Sequence, residues 1–194
     1  MNLSINKFMN YISDTIEDND ITFCVGSRII NEETLSEKHR VFYVKDEDFD
    51  VFSFSLGMSV FNRNRVLVIV EDKYLLKHLS SLAQVAVSKS SNYVIFVLNT
   101  NIYSDNINFK TLNTYLRSTF NTVFNMGIKA LNYNNYFSNK KEFSKMVNFY
   151  KKPFGPMAVF LDINSNKLYG DQERFKTLPD IKDILKDGIY NTKE

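Results

Sequence analysis

Glycine is scarce in this chain: Gly26, Gly57, Gly127, Gly155, Gly170 and Gly188 are the only six in 194 residues. No two are spaced as G-x-G-x-x-G, and G-x-x-x-x-G-K-[ST] does not occur, so neither glycine-rich phosphate loop is present. A Rossmann dinucleotide site and a P-loop nucleotide site are thereby excluded. Cys24 is the sole cysteine, which rules out an intramolecular disulfide and a cysteine zinc cluster. His39 and His78 are the only histidines, and H-E-x-x-H is absent, which leaves at most a zinc site made from two histidines and carboxylates. Apolar runs are short, as in Val66-Leu67-Val68-Ile69-Val70, and cannot span a bilayer. The start, MNLSINKFMNYIS, lacks the apolar core of a signal peptide, so the expectation is a cytoplasmic protein with no membrane partner. Charge of either sign is not in excess. The formal net charge is +2, which gives no support to a dedicated nucleic-acid surface.

What the chain has in quantity is aromatic residues, seventeen Phe and eleven Tyr, within 44% hydrophobic composition. That is enough apolar material for one folded domain over residues 1–194. Leu3, Phe8, Ile12 and Ile16 recur at helical spacing and predict an amphipathic first helix. Ile21 to Val25 reads as a buried strand ended by Gly26, and a weaker helix over Glu32 to Lys38 leads to a strand at Val41 to Val44. Phe49 to Phe61 reads as a buried helix. Val66 to Val70, a helix over Tyr74 to Val87 and Tyr93 to Leu98 form a strand, helix and strand, hence a right-handed crossover with parallel strands. A helix is expected over Phe109 to Phe120, an apolar edge at Val123 and Phe124, and a loop over Asn132 to Asn139. A helix over Glu142 to Tyr150, a strand over Met157 to Ile163 and a last helix from Leu178 complete the pattern. The expected fold is a single three-layer α/β domain, a mainly parallel sheet with helices on both faces.

A parallel sheet offers its ligand crevice at the carboxyl ends of its strands. Glu71-Asp72-Lys73 follows one predicted strand and Asn99-Thr100-Asn101 the next, and the crossover brings the two ends to one rim. A carboxylate, side-chain amides and a loop carbonyl are hard oxygen ligands suited to Mg²⁺. A helix start at Lys73 or Tyr74 would aim free N–H groups at an anion there. Asp72 equally fits a helix N-cap, and the asparagines fit ordinary turns, so both readings stand at this point. His78 reads as a surface or interfacial side chain, Cys24 as an inert core residue, and Lys45 to Asp50 as a solvated acidic turn.

These segments resemble the pyrophosphate-binding half of thiamine diphosphate enzymes, in particular the small subunits of sulfopyruvate and phosphonopyruvate decarboxylases. In that family a strand ends in Gly-Asp-Gly, and an apolar strand somewhat under thirty residues later ends in Asn-Asn. The corresponding text here is VIVEDKYLLKHLSSLAQVAVSKSSNYVIFVLNTN, with ITFCVGSR and SFSLGMS before it and FGPMAVFLDI after it. The resemblance runs from Ile21 to about Leu185. It implies a thiamine diphosphate-binding fold, with thiamine diphosphate and Mg²⁺ as cofactors. Asp72 would be a metal ligand, with Asn99 or Thr100 as the second and the Asn101 carbonyl as a third. Glu71, Lys73 and Asn101 would border the diphosphate. It also implies a partner, either a subunit carrying the pyrimidine-binding domain or a further copy in a homo-oligomer.

The departures are as informative. Glu71 and Lys73 replace the glycines that flank the family aspartate: Glu71 puts bulk and a repelling charge where backbone would approach diphosphate, and Lys73 offers either a cation to the phosphate or neutralisation of Asp72 without a metal. Glu47-Asp48-Phe49-Asp50 falls where the family has Ser-Met-Gly, and Ile102 to Asn106 replaces a glycine-rich segment. The resemblance therefore implies a decarboxylase- or lyase-like subunit whose cofactor site is altered or lost. The alternative is a non-catalytic scaffold that kept the fold.

Overall fold

Strand β4 (Val66–Glu71) lies at the middle of a parallel sheet, paired with β2 (Ile21–Val25) on one side and β5 (Tyr93–Asn99) on the other. The structure, a computed structural model, describes residues 3–26, 35, 40–99, 112–133, 140–149 and 155–164, of which 112–118, 140, 146–149 and 164 are described by backbone alone. Outside β2 lies β3 (Val41–Val44), and outside β5 lies β7 (Met157–Asn164). β6 (Lys129–Tyr133) pairs with β7, as does the two-residue β1 (Leu3–Ser4). All these pairings are parallel, giving the order β3-β2-β4-β5-β7 with β1 and β6 against β7.

A parallel sheet must be covered on both faces, and alternation along each strand divides the core in two. On one face Leu67 and Ile69 join Val94 and Phe96 under α1 (Ile5–Ser13), which contributes Phe8, Met9 and Ile12. Phe8 lies edge-on to both Phe96 and Phe143, with ring centroids 5.8 Å apart in each pair. On the other face Val66, Val68 and Val70 pack with α2 (Val51–Phe61), α3 (Asp72–Lys77), α4 (Leu79–Ser88) and α5 (Leu112–Asn125). Phe143 of α6 (Lys140–Phe149) returns to the first face. Cys24 is buried on that face, and burial pushes its thiol pKa up, so it is an inert core residue as expected.

Several boundaries differ from the sequence expectation, each for a local reason. The first helix starts at Ile5 because Ser4 caps it, its hydroxyl accepting from Lys7 N–H at 3.3 Å, while Leu3 and Ser4 extend onto β7. The crossover helix starts two residues early, at Asp72, and breaks at His78, whose φ of −114° and ψ of 30° leave the helical region. Val123 and Phe124 belong to α5, not to an edge. Asn132 and Tyr133 end strand β6, where a loop was expected, because pairing with buried β7 overrides their weak strand propensity. Of the expected helix at 32–38 only Leu35 is described, helical and buried. The helix expected from Leu178 lies outside the described residues.

At the amino edge, Arg65 and Asp20 form a buried ion pair that ties the starts of β4 and β2 together. Arg65 Nε donates to Asp20 Oδ1 at 3.1 Å and Nη2 to the Thr15 carbonyl at 3.2 Å, while Asp20 Oδ2 accepts from Glu17 N–H at 2.8 Å. The side chains are only 9% and 5% exposed. Truncating one partner leaves the other charge buried, which costs about 3–5 kcal/mol. Asp20→Ala is therefore expected to lower the denaturant midpoint by that equivalent at unchanged m-value. A loss below about 1 kcal/mol, the scale of an exposed pair, would contradict the buried geometry.

Candidate functional site

The strand order reverses at β2: the chain leaves β2 for β3 on one side, then returns to β4 on the other. In an open α/β sheet that reversal opens a crevice at the carboxyl ends. Register alone decides what meets there. Val25 is opposite Val70, so Gly26 comes level with Glu71; Glu71 is opposite Leu98, so Asp72 comes level with Asn99. Asn99 in turn pairs with Asp162.

Glu71 and Asp72 are 3% and 0% exposed, so two carboxylates lie beneath the rim. Glu71 folds against Gly26 so closely that a Cβ on Gly26 would overlap Glu71 Oε1. Gly26 has φ of +130°, a conformation that also requires glycine. Asp72 is the first residue of α3 and not its cap; the cap position belongs to Glu71, whose side chain makes no capping bond. The capping alternative for Asp72 is thus replaced by a buried carboxylate at a helix N-terminus, where the helix dipole favours its negative charge. Asn99 Nδ2 donates to Asp162 Oδ1 at 2.6 Å. Thr100 and Asn101 lie outside the described residues.

Lys73 does not turn into the crevice alone: its ammonium pairs with Glu47 at 2.6 Å. Glu47 belongs to the turn at 45–50, which is fastened along α3 and the start of α4. The Tyr74 hydroxyl accepts from Val51 N–H at 2.9 Å and donates to the Phe49 carbonyl. His78 stacks on Tyr74, centroids 4.3 Å apart, and its Nε2 lies 2.9 Å from the Glu47 carbonyl oxygen. Lys77 pairs with Asp48, and Ser81 donates to Asp50 Oδ2. Asp50 also caps α2, accepting from Ser53 N–H at 3.2 Å and Ser53 Oγ at 2.6 Å. Burial opposes its charge, yet the bonds from Ser53 and Ser81 prevail and hold its carboxyl below the ordinary value. The turn read as solvated is therefore solvated only in part. Asp48 remains open to water, while Glu47, Phe49 and Asp50 are docked.

The register thus sets Asp72 and Asn99, two of the expected metal ligands, level at adjoining strand ends. Sequence reasoning missed Asp162, Glu47 and the role of Gly26. Asp162 had a signal of the same kind as Glu71, a lone charge at the carboxyl end of an otherwise apolar strand. Among the described residues no group of three or more His, Cys, Asp or Glu is placed to hold a metal ion. Asp72 and Asn99 offer hard oxygen donors suited to Mg²⁺. The side chains described around them do not fit a diphosphate: Glu71 repels it, Lys73 is paired, and the Asn99 amide donates to Asp162.

No family model matches the chain, and no curated protein matches it. Solved structures do. An enzyme of Mycobacterium smegmatis assigned to the thiamin diphosphate-dependent class aligns with a TM-score of 0.64 at 11% identity, over 84% of this chain and 32% of its own. Benzoylformate decarboxylase from Polynucleobacter necessarius aligns with a TM-score of 0.64 at 12% identity, over 85% of this chain and 34% of its own. The fold is therefore that of a domain found in thiamin diphosphate-dependent enzymes, and the chain spans about a third of the length of these structures.

Two measurements check the site. Gly26→Ala is expected to destabilise the protein by 1 kcal/mol or more, roughly the scale of backbone strain. Adding Glu71→Ala should recover part of that loss, because the steric share disappears and the φ strain stays; strict additivity would show that the two residues do not touch. For Asp50 the folded pKa is lowered, so its stabilisation is present above the unfolded value and lost as pH falls through the folded one. Asp50→Ala is expected to cost about 1 kcal/mol near pH 7. In urea titrations the gap from wild type should narrow below about pH 4. A gap that widens in acid would refute the assignment.

Proposed function

We propose that this chain is a divergent pyrophosphate-domain subunit of a decarboxylase- or lyase-like assembly, with the diphosphate cradle filled by its own Glu71. The observation that carries the reading is the Glu71 carboxylate lying against Gly26 at the strand-order reversal. The fold of the neighbours supplies the setting, and the buried acidic crevice supplies the departure from it. On this reading residues 1–194 act as one domain and the missing partner is a pyrimidine-domain subunit or a second copy. The likeness to sulfopyruvate and phosphonopyruvate decarboxylase small subunits rests on motif order.

In the related reading, a non-catalytic scaffold, the metal-side residues Asp72 and Asn99 persist as structure. The subunit reading is supported by the register of β4 and β5, which sets Asp72 level with Asn99 as the resembled motif would.

Calorimetry with Mg²⁺ and thiamine diphosphate tests the reading. Wild type is expected to give no binding heat, and Glu71→Gly, which removes the charge and opens the cradle, is expected to gain affinity by about tenfold or more. Wild-type binding that is unchanged or weakened in Glu71→Gly would overturn the closed-cradle proposal.

A further inference from the structure

The amino edge of the sheet, opposite the crevice, carries a second surface. α2 ends just before β4, α4 before β5 and α5 before β6, and the starts of these strands are in register: Val66 with Tyr93, Val94 with Met157, Met157 with Lys129. The three helix ends therefore line one edge. Each presents an apolar side chain to water: Phe61 is 93% exposed, Val87 81%, Val60 62% and Phe124 59%. These four are the exposed large hydrophobic residues among those described.

Phe61 is held there firmly. Asn92 Nδ2 donates to the carbonyls of Asn62 and Asn64 at 2.7 Å and lies 3.2 Å from that of Ser59, pinning the end of α2 to the start of β5. The surrounding charge has one sign. Residues 59–65, 86–92, 122–131 and 155–156 contain Arg63, Arg65, Lys89 and Lys129 and no Asp or Glu. Arg65 is committed to Asp20, and the remaining acids at this edge among the described residues, Asp14, Glu17 and Asp18, lie between α1 and β2, on the opposite face of the sheet from α2, α4 and α5. An open groove between the end of α4 and the starts of β6 and β7 is bordered by Val87, Met126 and Pro156, with Lys89 and Lys129 in its wall.

We propose that this edge docks on an anionic membrane surface. Phe61, Phe124, Val60 and Val87 enter the headgroup boundary, while Lys89 and Lys129 receive lipid phosphates. Charge complementarity selects this occupant. A second copy would bring Lys89 and Lys129 against the same cations, and protruding side chains such as Phe61, 93% exposed, suit a deformable interface better than a flat, rigid one. No helix among the described residues is long and apolar enough to cross a membrane, so the contact is peripheral.

The test is sedimentation of the full chain with vesicles of phosphatidylcholine alone and of phosphatidylcholine containing phosphatidylglycerol. Binding is expected only to the second kind and should weaken as salt is raised. Phe61→Ser with Phe124→Ser, and separately Lys89→Glu with Lys129→Glu, should each lower partitioning by about tenfold or more. Lys141→Glu, on an exposed position of α6 over the other face, should leave it within about twofold; an equal loss there would mean that overall charge, not this edge, binds. No binding to phosphatidylglycerol vesicles, or binding unaffected by the paired phenylalanine substitutions, overturns the proposal. Concentration-dependent dimers abolished by those substitutions, without vesicle binding, would assign the edge to a second copy instead.

Discussion

Parallel pairing of β4 with β2 and β5 is the constraint on which the rest of the molecule depends. A strand in that position has neighbours on both sides and helices above and below, so every residue from Val66 to Val70 is buried. Its β-branched composition meets that demand without a polar group in the core. The same pairing fixes both ends of the strand. At the amino end Arg65 has to be neutralised by Asp20 within the protein, and at the carboxyl end Glu71 and Asp72 are delivered beneath the rim between Gly26 and Asn99.

The carboxyl rim is held by polar contacts between side chains and the 45–50 turn. Tyr74, Lys73, Lys77, His78 and Ser81 all reach that turn from α3 and the first turn of α4. The break at His78 follows from this docking: the ring serves the Glu47 carbonyl and the Tyr74 face, and the helix resumes at Leu79. One consequence is that Lys73, the cation nearest the crevice in sequence, is directed to Glu47. Another is that the 45–50 turn is fixed in position by the first turns of the crossover helices.

The two edges of the sheet consequently differ in chemistry. Among the described residues the carboxyl edge carries buried acids, Glu71 and Asp72, beside the buried Asn99 and its half-buried partner Asp162. The amino edge on the α2–α5 face is cationic and apolar, with side chains standing into solvent. Buried carboxylates at one edge and an exposed apolar surface at the other leave the scaffold intact, because neither interrupts the two hydrophobic layers.

The layers themselves were legible in the sequence. The runs at Ile21, Val41, Val66, Tyr93 and Met157 are apolar and β-branched or aromatic, and strands buried on both faces need no other signal. β6 was not legible, since Lys129 to Tyr133 has no such run and becomes a strand only because β7 offers an unpaired edge. Asp72 and Asn99 could be named as neighbours from the crossover alone. Glu71 could be named as a departure, but not its contact with Gly26, which lies 45 residues away in sequence and depends on register. Asp162 beside Asn99 and Glu47 beside Lys73 are of the same kind. Short-range pattern determined which segments are buried, since burial depends on composition and period. Only the tertiary structure decided which charges meet, since that depends on which strand ends and turns the sheet brings to one place.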